Sequence, residues 1–477
     1  MSEQALHTPS VPSETPMVSR ETLSRLDVQG PRYTSYPTAD RFVEAYGPEQ
    51  YVQALSQRGQ GVGALTGGAS ALSLYVHIPF CESVCYYCAC NKVITRHHER
   101  AEAYLADLRE EIRLVAEQLG PGQTVSQLHF GGGTPTFLSD DELGGLLNTL
   151  RSTFRFVPGG EYAIEIDPRT IDVTRLKRLH QMGFNRLSFG VQDFDPDVQK
   201  AVHRVQPHDQ VRDLVLAARE EGFESLNMDL IYGLPKQTPE SFARTLAQVA
   251  ALRPDRIALY AYAHLPQRFK PQRRIEVADL PKAEEKVGML ASAIDVFGHA
   301  GYDYIGMDHF ALHHDSLAVA KRQGRLHRNF QGYSTYAECD LMAFGVSAIG
   351  KVGPTYAQNV KTLDEYYDIL DTGRLPVLRG IELTADDLLR RAIIQALMCH
   401  FELSIESIEI AHLIDFKKYF AAELADLREM EKGGLLTIDD QWISVKPAGR
   451  MLVRAIAMSF DKYLRADRER TRYSKVI

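Results

Sequence analysis

From Leu72 onward the sequence alternates short apolar runs with amphipathic helical stretches six times in succession, and that alternation constrains the fold more than any other feature. "LSLYVHI" (72–78) reads as a buried strand, and residues 97–119 follow as a helix with Tyr104, Leu105, Leu108, Ile112 and Val115 at helical spacing. "SQLHF" (126–130) leads to a helix opening at Ser139, where "SDDE" has the pattern of a capping box. "YAIEI" (162–166), "RLSFGV" (186–191), "SLNMDLI" (225–231) and "RIALYAY" (256–262) precede helices near 171–182, 208–221, 239–251 and 282–299. An α/β chain with this rhythm builds a parallel sheet with helices outside, either an open doubly wound sheet or a partial barrel. In both, chemistry gathers at the C-terminal ends of the strands. A cysteine loop follows the first strand, "GGGTPT" follows the second, Glu165 closes the third, Gln192 follows the fourth and Asp229 closes the fifth.

The 477 residues exceed one ordinary core. After about residue 360 the character changes: "TADDLLRRAIIQALMCHF" is a long amphipathic helix, and "GLLTI" and "WISV" are strand-like pieces among further helices. This reads as a small, mainly helical domain with a winged-helix-like end. The N-terminal "MSEQALHTPSVPSETP" has neither a basic start nor an apolar core, so it reads as a disordered lead-in rather than a secretion signal. No apolar run reaches the eighteen residues needed to span a membrane. A cytosolic, reducing environment is expected, where clustered cysteines bind metal or do chemistry more often than they form disulfides. The net charge of −8 argues against a nucleic-acid binder and leaves room for a local basic pocket.

Four of the six cysteines stand in "CESVCYYCAC" (81–90). The spacing C-x3-C-x2-C sets Cys81, Cys85 and Cys88 on one short loop. Zinc commonly takes four ligands, often as two separated C-x2-C pairs, and no second pair exists; His97 and His98 in "RHHER" are the available substitutes. Three thiolates suit a [4Fe–4S] cluster with one iron left open to a small molecule bearing an amine and a carboxylate. Cys90 has three readings: a fourth ligand, a neighbour of the cluster, or a packing residue.

These motifs resemble the radical S-adenosylmethionine (SAM) superfamily. "GPRYTSYPTADRF", "LSLYVHIPFC", "CYYCACNK", "HFGGGTPT", "IEIDPR", "FNRLSFGVQDF", "MDLIYGLP", "YAHLP", "IGMDHFA", "FGVSAIG" and "RYSKVI" narrow the resemblance to the oxygen-independent coproporphyrinogen III oxidases (dehydrogenases). It covers nearly the whole chain from about residue 29. It implies a partial (β/α)6 radical SAM barrel (66–355) with an N-terminal leader and active-site strap (1–65) and a C-terminal mainly helical domain (356–477). It implies a cytoplasmic, monomeric oxidoreductase of haem and porphyrin biosynthesis, with no nucleic acid and no membrane span. Its reaction converts the ring A and ring B propionates of coproporphyrinogen III to vinyls, giving protoporphyrinogen IX. Each turn consumes one SAM, releases CO2 and requires a final electron acceptor; a reductant such as flavodoxin or ferredoxin supplies the electron that cleaves SAM to methionine and a 5′-deoxyadenosyl radical.

Residue by residue, the resemblance implies that Cys81, Cys85 and Cys88 hold the cluster, and that with Tyr75 they form the catalytic set. SAM contacts carry over to Tyr75, Tyr87, Gly132, Gly133, Thr134, Glu165, Gln192, Arg204, Asp229, Ala263 and Ile349, with two SAM molecules in one active site. Arg32 is the candidate for a substrate propionate, with Tyr33 and Tyr36 of the strap shielding the macrocycle. Each assignment has a plainer alternative: a tight strand–helix turn for the glycines, solvated strand ends for Glu165 and Asp229, an exposed strap arginine for Arg32. For Asp308 and His309, a capping aspartate and a satisfied core histidine are preferred over substrate contacts. Haem chaperones share the barrel and cysteines but typically lack the strap and the C-x-C extension, both present here. A haem-opening or haem-methylating radical SAM enzyme is the remaining rival, separable by product mass.

Overall fold

The computed structural model describes residues 30–60, 70–337 and 339–466. The leader up to residue 29 and the closing "RYSKVI" lie outside the described residues. Six parallel strands carry the alternation: β1 (Leu72–Ile78), β2 (Thr124–Gly132), β3 (Arg155–Ile166), β4 (Arg186–Gln192), β5 (Ser225–Tyr232) and β6 (Arg256–Ala261). The helices between them match the expected spans closely, such as Glu99–Leu119, His208–Glu221 and Ala283–His299. Ser139 caps the helix Asp140–Thr153 with the reciprocal bonds of a capping box.

The sheet is wider than the alternation announced. Beyond β6 it adds the hairpin β7 (Tyr302–Gly306) and β8 (His309–Leu312); on the other side β9 (Asp340–Phe344) pairs parallel with β1. The antiparallel β10 (Ile349–Val352), β11 (Thr355–Asn359) and β12 (Val377–Glu382) follow, twelve strands in all in the order β12-β11-β10-β9-β1-β2-β3-β4-β5-β6-β8-β7. The boundary expected at residue 356 therefore falls inside β11, and the sheet runs to Glu382. The helix Pro48–Gly59, expected as part of the leader, packs on Glu99–Leu119, with Tyr51 and Leu55 buried in the barrel core. Arg58 on the same helix donates to Asp340 at 2.7 Å.

Side-chain direction on the strands positions the site. Leu72, Leu74, Val76 and Ile78 of β1, Leu128 and Phe130 of β2, and Leu226, Met228 and Leu230 of β5 join one buried core with the helices. The alternating residues between them, Tyr75 and His77, Gln127 and His129, Asn227 and Asp229, line a central cavity instead.

After Glu382 the chain folds as a separate layer. The helix Ala385–His400, capped by Thr384, packs with the helices Ile405–His412 and Ala421–Lys432 and a three-stranded antiparallel sheet (Glu402–Ser404, Leu436–Ile438, Trp442–Val445). Its core contains Ile393, Leu397, Phe420, Leu427 and Phe460. The strap segment 30–38 docks here: Tyr33 and Tyr36, each 1% exposed, belong to this second core and not to the barrel.

Candidate active site

The cysteine loop and the glycine loop are stitched to each other by backbone. Gly133 N donates to Ile78 O (2.8 Å) and Thr134 N to Phe80 O (2.8 Å), while Thr95 N donates to Cys81 O (2.9 Å) and closes the cysteine loop. This close approach demands glycine. A Cβ on Gly133 would stand 2.7 Å from the carbonyl oxygens of Pro79 and Phe80. Gly132 has φ +115°, and a Cβ there would meet the His77 ring at 2.6 Å. The turn and the surface it presents to the cavity are thus one construction.

All six cysteines of the chain are free. Thr134 Oγ1 donates to Cys81 Sγ at 3.4 Å, and the guanidiniums of Arg169 and Arg204 reach Cys85 Sγ at 3.5 and 3.6 Å. Asp167 accepts from Arg169 (2.6 Å) and from Arg204 (3.1 Å), leaving this buried group one positive charge in excess. Burial works to raise the Asp167 carboxyl's pKa, but the two guanidiniums overcome it and hold it below the usual range. Among the described residues no set of three or more His, Cys, Asp or Glu side chains is drawn into a ready-made metal cage. The donor set nonetheless fits a thiolate-bound iron–sulfur group: three thiols on one short loop, and surplus cationic N–H donors aimed at sulfur, the kind of hydrogen bonding that tunes such clusters. His97 and His98 do not contribute, pairing with Glu99 and Glu142 at the surface instead. Cys90 lines the cavity, which removes the packing reading.

The cavity holds about 500 Å3. Of the eleven SAM candidates, Tyr75, Gly132, Glu165, Asp229 and Ile349 line it. The other six do not line it. Arg204 donates to Gly190 O and pairs with Asp167. Gln272 Nε2 ties Tyr87 O (2.9 Å) to Ala263 O (3.2 Å). Gln192 closes β4 with φ +69°, a left-handed conformation rare in strands, where the register against β5 slips.

Two of the carboxylates on the cavity wall, Glu165 and Asp229, have opposite electrostatics. Burial would raise Glu165, yet His129 Nε2 at 3.0 Å and the Gly132 N–H at 3.4 Å hold it below its usual value. Asp229 is pushed up to about 6, first by burial and then by Glu165, against hydrogen bonds from Ser188 and Asn227 at 2.9 Å each. Tyr75 stacks on His129 (ring centroids 5.9 Å apart) and its hydroxyl meets His77 Nδ1 at 3.1 Å.

Known proteins resemble this chain over nearly its whole length. Residues 75–249 match the family model described as Radical SAM superfamily, and residues 383–452 match the HemN C-terminal domain. A curated oxygen-independent coproporphyrinogen III oxidase of Pseudomonas aeruginosa is 50% identical over 459 residues, 96% of this chain and 98% of that protein. The one of Escherichia coli is 47% identical over 455 residues, 95% of this chain and 97% of that protein. The solved coproporphyrinogen III oxidase (HemN) from Escherichia coli, titled a radical SAM enzyme, superposes with a TM-score of 0.87 at 48% identity, covering 91% of this chain and 98% of that one. The chain belongs to the oxygen-independent coproporphyrinogen III oxidase family.

Within this family member the structure bears on the alternatives left open for the strap. Arg32 is not an exposed strap arginine: it pairs with Asp308 and lies 5.3 Å over the Tyr260 ring on the cavity wall. Asp308 is not a helix cap, and His309 lines the cavity with its Nδ1 2.9 Å from Asp308. Tyr33 and Tyr36 do not shield the cavity. The Tyr33 hydroxyl donates to Asp461 (3.0 Å) and the Tyr36 hydroxyl accepts from Lys462 N (3.2 Å), so these rings bury their area in the C-terminal layer. His77, His129, Asp167, Arg169, Ser188 and Asn227 stand inside motifs quoted from the sequence but were not singled out there as site residues. Five of the six were legible as polar residues in alternation on strand patterns or beside them; Arg169, paired through a turn, had no such signal.

Proposed function

We propose that this chain catalyses the oxygen-independent oxidative decarboxylation of coproporphyrinogen III to protoporphyrinogen IX. The observation that carries the reading is its end-to-end similarity to proteins named for that reaction, 96% of this chain against 98% of the relative. In each of two propionates the side chain loses a hydrogen atom, CO2 and one electron and becomes a vinyl. Cys81, Cys85 and Cys88 would hold a [4Fe–4S] cluster at the mouth of the cavity, with Cys90 as its neighbour rather than its ligand. A cluster so held, with SAM bound, supplies a one-electron cleavage of the sulfonium C–S bond and hence a carbon-centred radical able to take hydrogen from the substrate. Arg169 and Arg204 keep the buried sulfur of Cys85 in a cationic setting.

The SAM assignment rests on the cavity wall. Glu165, held ionised beside His129, suits an ammonium group, and Asp229 suits ribose hydroxyls. Gly132 and Gly133 keep backbone free of side chains where the methionyl end would lie, and Tyr75 backs it. Arg204, Gln192, Tyr87, Thr134 and Ala263 act as positioning residues behind that surface, and Ile349 closes the opposite side. Room for a second SAM, a flavodoxin- or ferredoxin-like reductant and a monomeric state belong to the same proposal. No helix among the described residues is long and apolar enough to cross a membrane.

The test is anaerobic turnover of the reconstituted protein with coproporphyrinogen III, SAM and a reductant, read by mass spectrometry. Loss of two CO2 per macrocycle with 5′-deoxyadenosine formed supports the reading. Tight haem binding with no decarboxylation would replace it with haem carriage.

A further inference from the structure

Behind the cavity residues Tyr260, His309 and Tyr333 stands a group of guanidiniums. Arg328, in a short ribbon (His327–Asn329 with Gly332–Ser334), is 2% exposed. Its Nε donates to Arg32 O at 3.3 Å and its guanidinium lies 4.7 Å from the centre of the Tyr333 ring, but its Nη1 meets no hydrogen-bond partner among the described residues. The guanidiniums of Arg32 and Arg454 belong to the same group. Arg454 holds the strap by donating to the carbonyls of Gly30 and Pro31, and its own pKa is lowered to about 9 by burial, then by Arg32 and Arg328. Arg32 is likewise depressed, first by burial and then by Arg328. Among the described residues Arg32 pairs with the Asp308 carboxylate, which also meets His309, and Arg454 has further partners of its own. His309 is kept neutral, mainly by burial and then by the charges of Arg328 and Arg32, so its Nδ1–H donates to Asp308 and it adds no charge.

A buried guanidinium with an unused N–H is costly unless an anion meets it. Tyr260, His309 and Tyr333, which surround Arg32 and Arg328, all line the cavity. An anion in the cavity would therefore approach these guanidiniums past the rings that flank them.

We propose that Arg328, with Arg32 beside it, forms a carboxylate subsite that takes a propionate of the tetrapyrrole and so anchors the substrate. The inference rests on the function proposed above. It assigns Arg328 a direct ionic contact with a propionate, walled by the aromatic faces of Tyr260 and Tyr333, and it makes the strap part of the subsite, since Arg328 is itself hydrogen-bonded to the strap backbone at Arg32.

The experiment compares the reconstituted, full-length protein with Arg328→Met and Arg328→Lys by anaerobic equilibrium dialysis. The probes are coproporphyrinogen III, its tetramethyl ester in the same co-solvent, and SAM. Arg328→Met should weaken the tetra-acid about 10- to 100-fold, the range for a lost charge-assisted hydrogen bond, while leaving the ester and SAM within about 2-fold. Arg328→Lys should recover part of the loss. An equal loss for acid and ester would overturn the subsite, because it would mark Arg328 as merely structural. So would a loss confined to SAM, whose own carboxylate would then be the occupant, and so would unchanged binding of all three. Failure of the unsubstituted protein to bind coproporphyrinogen III would overturn the proposed function itself, whereas the other failures leave that function standing.

Discussion

Two regions beside the cavity, the loops after β1 and β2 that reach it through Cys90 and Gly132 (called its mouth) and the arginine group behind Tyr260 and Tyr333 (called its far wall), are built by different means. At the mouth, the cysteine loop and glycine loop come from neighbouring strands β1 and β2, and backbone bonds such as Gly133 N to Ile78 O hold them together. At the far wall, Arg32, Asp308, Arg328 and Arg454 come from the strap, a barrel hairpin, a ribbon and the C-terminal layer, and Arg454 reaches back to residues more than 400 positions earlier. The mouth is complete within the barrel. The wall exists only when all three parts of the chain are docked. Radical generation and substrate holding should therefore be separable, and this separation can be tested at several strengths.

The largest effect is expected at the mouth. Cys81→Ala, Cys85→Ala or Cys88→Ala should abolish bound iron and sulfide and all SAM cleavage, whereas Cys90→Ala should keep the cluster with reduced activity. Iron and sulfide analysis with the ultraviolet–visible spectrum checks this; loss of iron in Cys90→Ala equal to that in Cys85→Ala would make Cys90 a ligand.

At the wall, a chain lacking residues 1–40 should still bind the cluster and slowly form 5′-deoxyadenosine, yet fail to decarboxylate coproporphyrinogen III. A radical in a cavity open to solvent is quenched by nearby hydrogen donors. Because Tyr33 and Tyr36 lie in the C-terminal core, this truncation should also lower the C-terminal layer's stability, and Tyr33→Ala alone should cost about 3–5 kcal/mol, as for other large buried rings. Calorimetry or hydrogen exchange beside the product assay separates the two effects. Full decarboxylation by the truncated chain would dissolve the distinction between wall and mouth.

Smaller effects are expected from the carboxylates between the two regions. Glu165→Ala and Asp229→Ala should retain the cluster and weaken SAM binding by about 1.5–3 kcal/mol, the range for a hydrogen bond to a charged group. Isothermal titration with SAM reads this directly, and unchanged affinity in both variants returns them to solvated strand ends.

The pH dependence sharpens the pair. Asp229 is raised to about 6, so it is protonated in the folded chain between about pH 4 and 6, where an unfolded aspartate has already ionised. Its contribution to stability is greatest at low pH and is lost as pH rises through 6. SAM affinity should run the other way, weakening as pH falls through 6. Asp229→Asn should flatten that part of the affinity profile and raise the melting temperature at pH 8; a lowered melting temperature would mean that the Ser188 and Asn227 hydrogen bonds outweigh the burial cost.

The strand–helix rhythm, the cap at Ser139 and the cysteine and glycine loops were legible because each depends on residues close in sequence: periodicity, capping and turn geometry are local. The inward polar residues Tyr75, His129, Asn227 and Asp229 were half legible, since alternation shows two faces but not which one meets a cavity and which one meets helices. The sheet beyond β6 was not legible. β9 joins β1 across more than 260 residues; the β10–β11 hairpin turns at Gly353–Pro354, a local signal that was passed over, and β12 returns to β11 only after an intervening helix. The strap was misread for the same reason: Tyr33 and Tyr36 announce buried aromatics without saying in which core. The sequence by itself determined the six strand–helix units, the cysteine loop and the family. Only the tertiary structure decided where Arg32, Asp308 and Arg328 meet, because burial of charge and of aromatic area is settled between segments that the chain keeps hundreds of residues apart.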